Sequence, residues 1–233
     1  MVTTQLDAPL AGLEGLYKVA EAARIIHVDL KSPEARTRVT SSHLVRWIRS
    51  GFADRKLIAV PGRELFITFE DLVSMRVVAF LRSLGYSFHK VRNAERQLRE
   101  VTHHPRPFAT ETIWAEEEGA THIFAEMAHG LLAVSQGRQL AFIELVRDQL
   151  INVHGLTFNE QHVANTWAPR RGILLNPKIQ FGSPCIAGTR IPTRDVAGMV
   201  FAGDSKEYIA RSYSITIDEL QAAIDWEQEI ADP

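Results

Sequence analysis

Residues Gly182 to Ile191 read GSPCIAGTRI, and this decapeptide predicts a fixed turn in front of the C-terminal helices. Gly182 and Gly188 permit backbone torsions that are closed to other residues, and Pro184 stiffens the bend between them. Arg190 supplies a planar guanidinium that can pair with a carboxylate. Two interpretations stay open for Arg190 and the threonine before it. They fasten the turn to the helices, or they contact a partner.

An extended segment precedes the decapeptide, and helices follow it. Ile173–Leu175 and Ile179–Phe181, on either side of an Asn176-Pro177 turn, predict a small hairpin. Downstream, polar residues ahead of apolar stripes predict three short helices. The expected N-caps are Thr193, Asp204 and Thr216. The inner face of the last helix is expected to contain Ile217, Leu220, Ala223 and Ile224.

Near the N-terminus the pattern is that of two amphipathic helices. The first is indicated by apolar residues at helical spacing, namely Val19, Ala22, Ala23 and Ile26. The second is expected to begin after the capping residues of Thr40–Ser42 and to end at Gly51. Its buried face is expected to contain Leu44, Trp47 and Ile48.

The next segment turns extended before it becomes helical again. Leu57–Val60 and Leu65–Ile67, on either side of Pro61-Gly62, predict a hairpin, or wing. Two more helices are expected after Thr68 and Ser87. A donor-rich second helix followed by a wing and further helices is the winged arrangement of DNA-binding domains.

The second helix is expected to turn its polar side chains away from its apolar face. An α-helix fits the major groove of DNA, where exposed donors reach base edges and phosphates. Basic residues on the wing are placed for phosphate contacts, although an exposed helix of a structural bundle would show the same pattern. The candidate DNA-binding residues are Arg38, Ser42, His43, Arg46, Arg49, Arg55, Lys56 and Arg63.

The net charge of −2 hides a split between the two halves of the chain. Residues 16–107 contain 17 Lys or Arg and 9 Asp or Glu, whereas residues 108–233 contain 9 and 17. The basic half is therefore the candidate for phosphate contacts, and the acidic half is expected to have a different partner.

A chain of 233 residues is long enough for more than one small domain. We predict a flexible tail (1–15), a winged unit (16–107), a small β-rich middle module (108–168) and the C-terminal hairpin with three helices (169–233). Within the middle module, Phe108–Ala115 alternates as a strand does. The predicted fold class is α+β and mainly helical.

Three short stretches carry a resemblance in the N-terminal half. YKVAEAAR at 17–24, LVRW at 44–47 and FEDL at 69–72 resemble the MerR-type winged helix-turn-helix, over about residues 16–100. One departure concerns the connection from His27 to Thr40. It is about ten residues longer than the tight turn of a helix-turn-helix.

The decapeptide carries a second resemblance. It matches G-x-P-x-I-x-G-T-R-I at every fixed position and resembles a small bacterial domain of unknown function that occurs in VapB-type antitoxins, over about Ile173 to Trp226. The helices behind it resemble a homeodomain-like helix-turn-helix, but they are acidic, so contact with protein and contact with DNA both stay open. Taken with the MerR-like front and the β-rich middle, the chain resembles the large VapB-type antitoxins.

That resemblance implies a type II antitoxin rather than an enzyme. Such a protein binds a PIN-domain ribonuclease toxin and, as a homodimer, binds double-stranded operator DNA and represses its own operon. The implied partner-binding residues are Thr189, Arg190 and Arg194, which would pair with carboxylates of the toxin. One alternative is a MerR-like transcriptional regulator whose middle module binds a small ligand and which has no toxin partner. Another is an interaction module with vestigial DNA-binding folds.

Patterns for catalysis, metal binding and membrane insertion are missing from the sequence. It has no Gly-rich phosphate loop, no H-E-x-x-H and no nucleophile elbow. Cys185 has no second cysteine at zinc spacing, and a single cysteine fits a reducing cytosol. No apolar run is long enough for a membrane span, and the first fifteen residues, without Lys or Arg, do not resemble a signal peptide. We therefore expect a cytoplasmic protein without cofactor or metal.

Overall fold

A computed structural model of the chain describes residues 15–30, 39–52, 65–83, 85–111 and 155–231. Several expectations fall on other residues and lie outside this description. They are the N-terminal tail, the wing strand Leu57–Val60, most of the middle module, and the candidate DNA contacts Arg38, Arg55, Lys56 and Arg63.

Seven α-helices are found in the described residues. They are α1 (Val19–Asp29), α2 (Ser41–Trp47), α3 (Phe69–Ser83), α4 (Phe88–Thr102), α5 (Thr193–Phe201), α6 (Lys206–Tyr213) and α7 (Ile217–Ala231). A π-helical turn, Ile48–Phe52, extends α2, and 3-10 turns form at Pro107–Ala109 and Gln180–Gly182. None of these helices has both the length and the apolar character that crossing a membrane requires.

The strands of the described residues form two small antiparallel sheets. In the first, β1 (Leu16–Lys18) pairs with β2 (Phe66–Thr68). The second has the order β3-β4-β5-β6, with β3 Leu156–Phe158, β4 Ala164–Arg170, β5 Ile173–Leu175 and β6 Cys185–Ile186. The mixed, mainly helical class predicted from the sequence is confirmed at this level.

Side-chain caps begin helices α2, α3 and α4 where the sequence predicts them. The Thr40 hydroxyl accepts a hydrogen bond from the His43 amide at 3.4 Å at the start of α2. Thr68 and Asp71 bond reciprocally to each other's backbone amides, at 3.1 and 3.2 Å, at the start of α3. Ser87 caps α4. These caps act across three residues of sequence, so a short motif suffices to predict them.

The predicted C-terminal hairpin is wrong in its second strand. β5 forms as expected, but the downstream strand with which it pairs is β6, with Ile173 opposite Ile186. The expected strand Ile179–Phe181 is instead a tight turn in which Gln180 and Phe181 have positive φ. Ile179 and Phe181 alternate over only three residues, which is too short a pattern to determine a strand. The Asn176 carbonyl accepts from the Ile179 amide, and the Asn176 side chain accepts from the Lys178 amide, so these bonds stabilise a turn instead.

Two of the three predicted C-terminal caps are also wrong. Thr193 is the first residue of α5 and is fully buried, so its hydroxyl bonds inward and caps nothing. Ser205, not Asp204, caps α6 by accepting from the Tyr208 amide at 3.2 Å. The capping box of Thr216 and Glu219 is confirmed at the start of α7.

The inner face of α7 is confirmed for its central residues. Leu220, Ala223 and Ile224 are buried there. Ile217 does not belong to this face, since it is 43% exposed. It is the first residue of the helix, so no preceding turn of the helix lies beneath its side chain.

The strand predicted from Phe108 to Ala115 is also wrong at its beginning. Phe108 and Ala109 are buried in a 3-10 turn rather than a strand. Thr110 forms an isolated antiparallel bridge with Val163. Pro107 lacks an amide hydrogen and favours the first position of such a turn, which explains the difference.

One apolar core joins both ends of the chain. It contains α1, α3 and the buried face of α4 together with Trp167, Ile173 and Trp226 of the C-terminal part. A second, smaller core packs Ile186, α5 and α6 against Leu220, Ala223 and Ile224. The boundary predicted between residues 168 and 169 falls inside β4, because that strand pairs with β3 on one side and β5 on the other.

A buried ion pair lies within the larger core. Arg76 Nε of α3 donates to Asp29 Oδ2 of α1 at 2.6 Å, and these side chains are 1% and 0% exposed. The Arg76 guanidinium lies 4.9 Å from the ring centre of Trp167 in β4. Arg76 therefore connects the N-terminal helices to the second sheet.

Candidate functional site

The exposed face of α2 is the first candidate surface. Ser42, Arg46 and Arg49 are exposed, whereas Leu44 and Trp47 are buried against the core. Helical spacing places the polar and apolar residues on opposite sides, as the sequence predicts. The structure therefore presents a row of donors to solvent in the basic half of the chain.

His43 lies at the edge of this face rather than on it. It is half-buried, its ring stacks on Trp47 with 6.1 Å between ring centres, and its Nδ1 accepts from the Thr40 amide at 3.4 Å. A shallow pocket opens beside it, between α2 and α3. The pocket is lined by Val39, His43, Arg46, Trp47, Ala79 and Arg82.

Sequence reasoning missed Arg82 as a neighbour of this surface. It belongs to the last turn of α3, and its side chain also donates to the carbonyl of Tyr86. A basic residue in the last turn of a helix is an ordinary partner of the helix dipole, so the sequence carries no signal for a further role.

Helix α4 holds the end of α2 in place. The Arg46 guanidinium lies 5.8 Å from the ring centre of Phe88, the first residue of α4. Arg99 donates to the Gly51 carbonyl at 3.4 Å and to Glu95 at 2.5 Å. Burial raises the pKa of Glu95, and the hydrogen bond from Arg99 opposes that rise. The exposed face of α2 is thus fixed relative to α4.

The decapeptide turn is the second candidate surface. The Thr189 hydroxyl donates to the Ile186 carbonyl at 2.8 Å and accepts from the Ile191 amide at 3.0 Å. These bonds close the turn at Gly188, whose φ is +78°. The Arg190 side chain is exposed. Of the two interpretations, Thr189 fits the structural one, and Arg190 is free to meet a partner.

Arg194 lies among acidic side chains of three helices. Its guanidinium is 3.5 Å from Asp195 and acts electrostatically on Glu21 of α1 and Glu227 of α7. Burial raises the pKa of both glutamates. The Thr193 hydroxyl donates to Glu227. Arg194 therefore belongs to a cluster at the junction of α1, α5 and α7.

Replacing Glu227 with glutamine is expected to raise the thermal midpoint at neutral pH, by about 1–3 °C. Because burial raises the pKa of Glu227 in the folded protein, ionising this carboxyl costs more there than in the unfolded chain. The stability that the protonated carboxyl provides is therefore lost as pH rises through its pKa in the folded state. Glutamine stays neutral and can still accept from Thr193. Thermal unfolding between about pH 4 and about pH 8 tests this. The gain should vanish at the acidic end.

The matched control for this prediction is Glu207→Gln on the exposed surface of α6. It is expected to change the midpoint at no pH. A Glu227→Gln variant that gains equally at every pH, or that is less stable than the parent at neutral pH, would contradict the burial argument.

The first glycine of the decapeptide is a contact point for the N-terminal strand. The Tyr17 hydroxyl of β1 donates to the Gly182 carbonyl at 2.8 Å, and Tyr17 is buried. Burial raises the pKa of the Tyr17 phenol. A β-carbon added at Gly182, whose φ is +88°, would lie 2.4 Å from the Tyr17 hydroxyl oxygen. Gly182 therefore serves both the turn and the contact between the two ends of the chain.

Residues 173–226 match the family model described as "Protein of unknown function (DUF433)". These are the residues over which the decapeptide and its helices predict a family resemblance, so that resemblance is confirmed as far as a family of unknown function. In the part of the chain that the structure describes, no group of three or more His, Cys, Asp or Glu residues is arranged to hold a metal ion.

Two proteins of Mycobacterium tuberculosis resemble a larger part of the chain. The uncharacterized protein Rv2308 is 26% identical over 200 residues, which cover 78% of this chain and 81% of that protein. The crystal structure of Rv2018 is similar with a TM-score of 0.65 at 19% identity, covering 90% of this chain and 96% of that one. The second likeness shows a shared fold.

Proposed function

We propose that this chain is the antitoxin of a type II toxin–antitoxin system. In the proposal it acts in the cytoplasm, binds and silences a PIN-domain ribonuclease toxin, and as a homodimer binds operator DNA to repress its own operon. The observation that carries the proposal is the solvent-facing donor row of α2 in a basic half that is joined to a DUF433 region.

The DNA-binding step is assigned to α2 within a MerR-like winged arrangement. Ser42, Arg46 and Arg49 point away from the core, and a helix with such a face fits the major groove. Arg99 of α4, which also bonds Glu95 of its own helix, donates to the Gly51 carbonyl and so supports the π-helical turn that extends α2. A supported helix loses little conformational freedom when it docks, which favours binding.

The toxin-binding step is assigned to the DUF433 region. Its exposed Arg190 offers two parallel hydrogen bonds to a carboxylate, and nuclease active sites that hold divalent cations are rich in carboxylates. Residues 195–233 contain two Lys or Arg and nine Asp or Glu, and this excess of carboxylates disfavours DNA as the partner.

The double variant Arg46→Ala with Arg49→Ala is expected to weaken operator binding at least tenfold. It should also reduce the slope of log K against log salt by about 2, since each lost phosphate contact removes about 1. The measurement is fluorescence anisotropy with a duplex from the DNA directly upstream of the operon, over a range of salt concentrations. Arg211→Ala, an exposed arginine of α6, is the control.

Binding that keeps both its affinity and its salt slope would remove α2 as the DNA-contacting helix. Toxin binding is tested separately, by co-purification and calorimetry with the purified protein encoded in the same operon. If that protein does not bind but the duplex does, the chain is a MerR-like regulator without a toxin partner.

A further inference from the structure

Phe181 combines exposure and backbone strain in a way that its own fold does not explain. Its side chain is 79% exposed, the largest value among the exposed large apolar residues of the described chain. Its φ and ψ are 54° and 27°, in the left-handed region that is unfavourable for a residue with a large side chain. Backbone strain of this kind persists where the surroundings enforce it, and it often marks a functional position.

The neighbours of Phe181 hold its backbone in a defined place. On one side, Gly182 is fixed by the buried Tyr17 hydroxyl at 2.8 Å. On the other side, the Gln180 amide group donates to the Arg190 carbonyl at 3.1 Å. Phe181 therefore lies in a turn that is anchored on both sides of it, and one of these anchors is the backbone of Arg190.

The residues that flank this turn in the sequence carry charges of one sign up to Arg194. Residues 161–194 contain five Lys or Arg and no Asp or Glu, whereas residues 195–233 contain two and nine. Arg170 pairs with Glu229 at 3.4 Å, and Arg194 lies 3.5 Å from Asp195. Lys178 and Arg190 are exposed, and neither joins an ion pair among the described residues.

We infer that Phe181, Lys178 and Arg190 form a docking surface for the toxin of the proposed function, and this inference rests on that function. The partner's matching surface is an apolar pocket for the phenyl ring with carboxylates at its rim. Aromatic and arginine side chains dominate the binding energy of protein interfaces when a pocket desolvates them. Charge complementarity favours an acidic protein surface, because the charged side chains between residues 178 and 190 are Lys178 and Arg190, and both are exposed.

A nucleic acid is a poorer fit to the same surface. Stacking of a base on Phe181 is chemically reasonable, but two unpaired cations neutralise few phosphates. Helices α5 to α7 add an excess of carboxylates close by, which repel a polyanion. The DNA contacts of the proposed function lie on α2, and this surface is separate from them.

The test is calorimetric titration of the full-length chain with the purified protein encoded in the same operon. Phe181→Ala is expected to weaken binding at least tenfold. Arg190→Ala is expected to weaken it and to reduce its salt dependence. Phe181→Gly separates binding from folding, since glycine adopts positive φ without strain. Its thermal midpoint should be kept, while its affinity falls as in Phe181→Ala.

Two controls match these variants in residue type and exposure. Phe201→Ala replaces another exposed phenylalanine at the far end of α5, and Arg211→Ala replaces an exposed arginine of α6. Both are expected to bind within about twofold of the parent, since contacts outside a hot spot are near neutral.

The outcomes distinguish the surface from the function. If the parent binds the operon partner and Phe181→Gly binds equally well, the docking surface is overturned and the antitoxin function stands. If the parent does not bind that protein, both are overturned. If the Phe181 variants lose affinity for duplex DNA and keep the protein partner, the turn is a nucleic-acid surface and the inference is wrong.

Discussion

Replacement of Arg76 by methionine is expected to destabilise the fold by about 3–5 kcal/mol. The substitution keeps much of the side-chain volume but leaves the Asp29 carboxylate, 0% exposed, without the guanidinium that donates to it at 2.6 Å. A buried carboxylate that loses its counter-charge is far costlier than an exposed one. The stacking of the guanidinium on Trp167, at 4.9 Å, is lost at the same time.

Urea unfolding followed by tryptophan fluorescence measures this loss, because Trp167 lies beside the substituted residue. The control is the double variant Asp29→Asn with Arg76→Met, which also removes the negative charge that pairs with Arg76 in the parent. It is expected to recover more than half of the lost stability. A single variant that loses less than about 1 kcal/mol would show that Asp29 is satisfied without Arg76.

The second large effect is expected at Gly182. Alanine there is expected to cost about 2–4 kcal/mol, the sum of about 1–2 kcal/mol for a β-carbon at positive φ and about 1 kcal/mol or more for the displaced hydrogen bond. The added β-carbon would lie 2.4 Å from the Tyr17 hydroxyl oxygen and 3.0 Å from the Gly15 α-carbon. These atoms belong to the N-terminal strand, so the substitution acts on its contact with the turn.

Gly188→Ala provides a matched control within the same decapeptide. Gly188 also has positive φ, +78°, but no atom lies within 4 Å of an added β-carbon. Gly188→Ala should therefore show the conformational cost alone, and the difference between the two variants measures the contact with Tyr17. Equal losses in denaturant titrations, or a Tyr17→Phe variant as stable as the parent, would show that this contact contributes nothing.

Both predictions concern contacts between the two ends of the chain. Tyr17 meets Gly182, Asp29 meets Arg76 beside Trp167, and the Arg170 guanidinium donates to the Val28 carbonyl at 2.7 Å. Because these contacts share one core, we expect the proposed DNA-binding helices and the sheet of the DUF433 region to unfold in one transition.

The candidate surfaces could be predicted to different degrees. The donor face of α2 could be predicted from helical spacing, because at about 3.6 residues per turn Arg46 and Arg49 point away from the side occupied by Leu44 and Trp47. The docking role inferred for Phe181 had no signal in the sequence, where it read as an apolar strand residue. Its positive φ belongs to a turn whose next residue, Gly182, is bonded by Tyr17, a residue distant in sequence.

The sequence by itself determined the helices, most of their caps and the decapeptide turn, because these depend on interactions within three or four residues. Thr68 with Asp71 and Thr216 with Glu219 are such cases. Only the tertiary structure decided which faces meet. Tyr17 and Gly182 are 165 residues apart in sequence, and Asp29 and Arg76 are 47 apart. No local pattern encodes such a pairing, since it depends on how the buried faces of helices and sheet pack together in three dimensions.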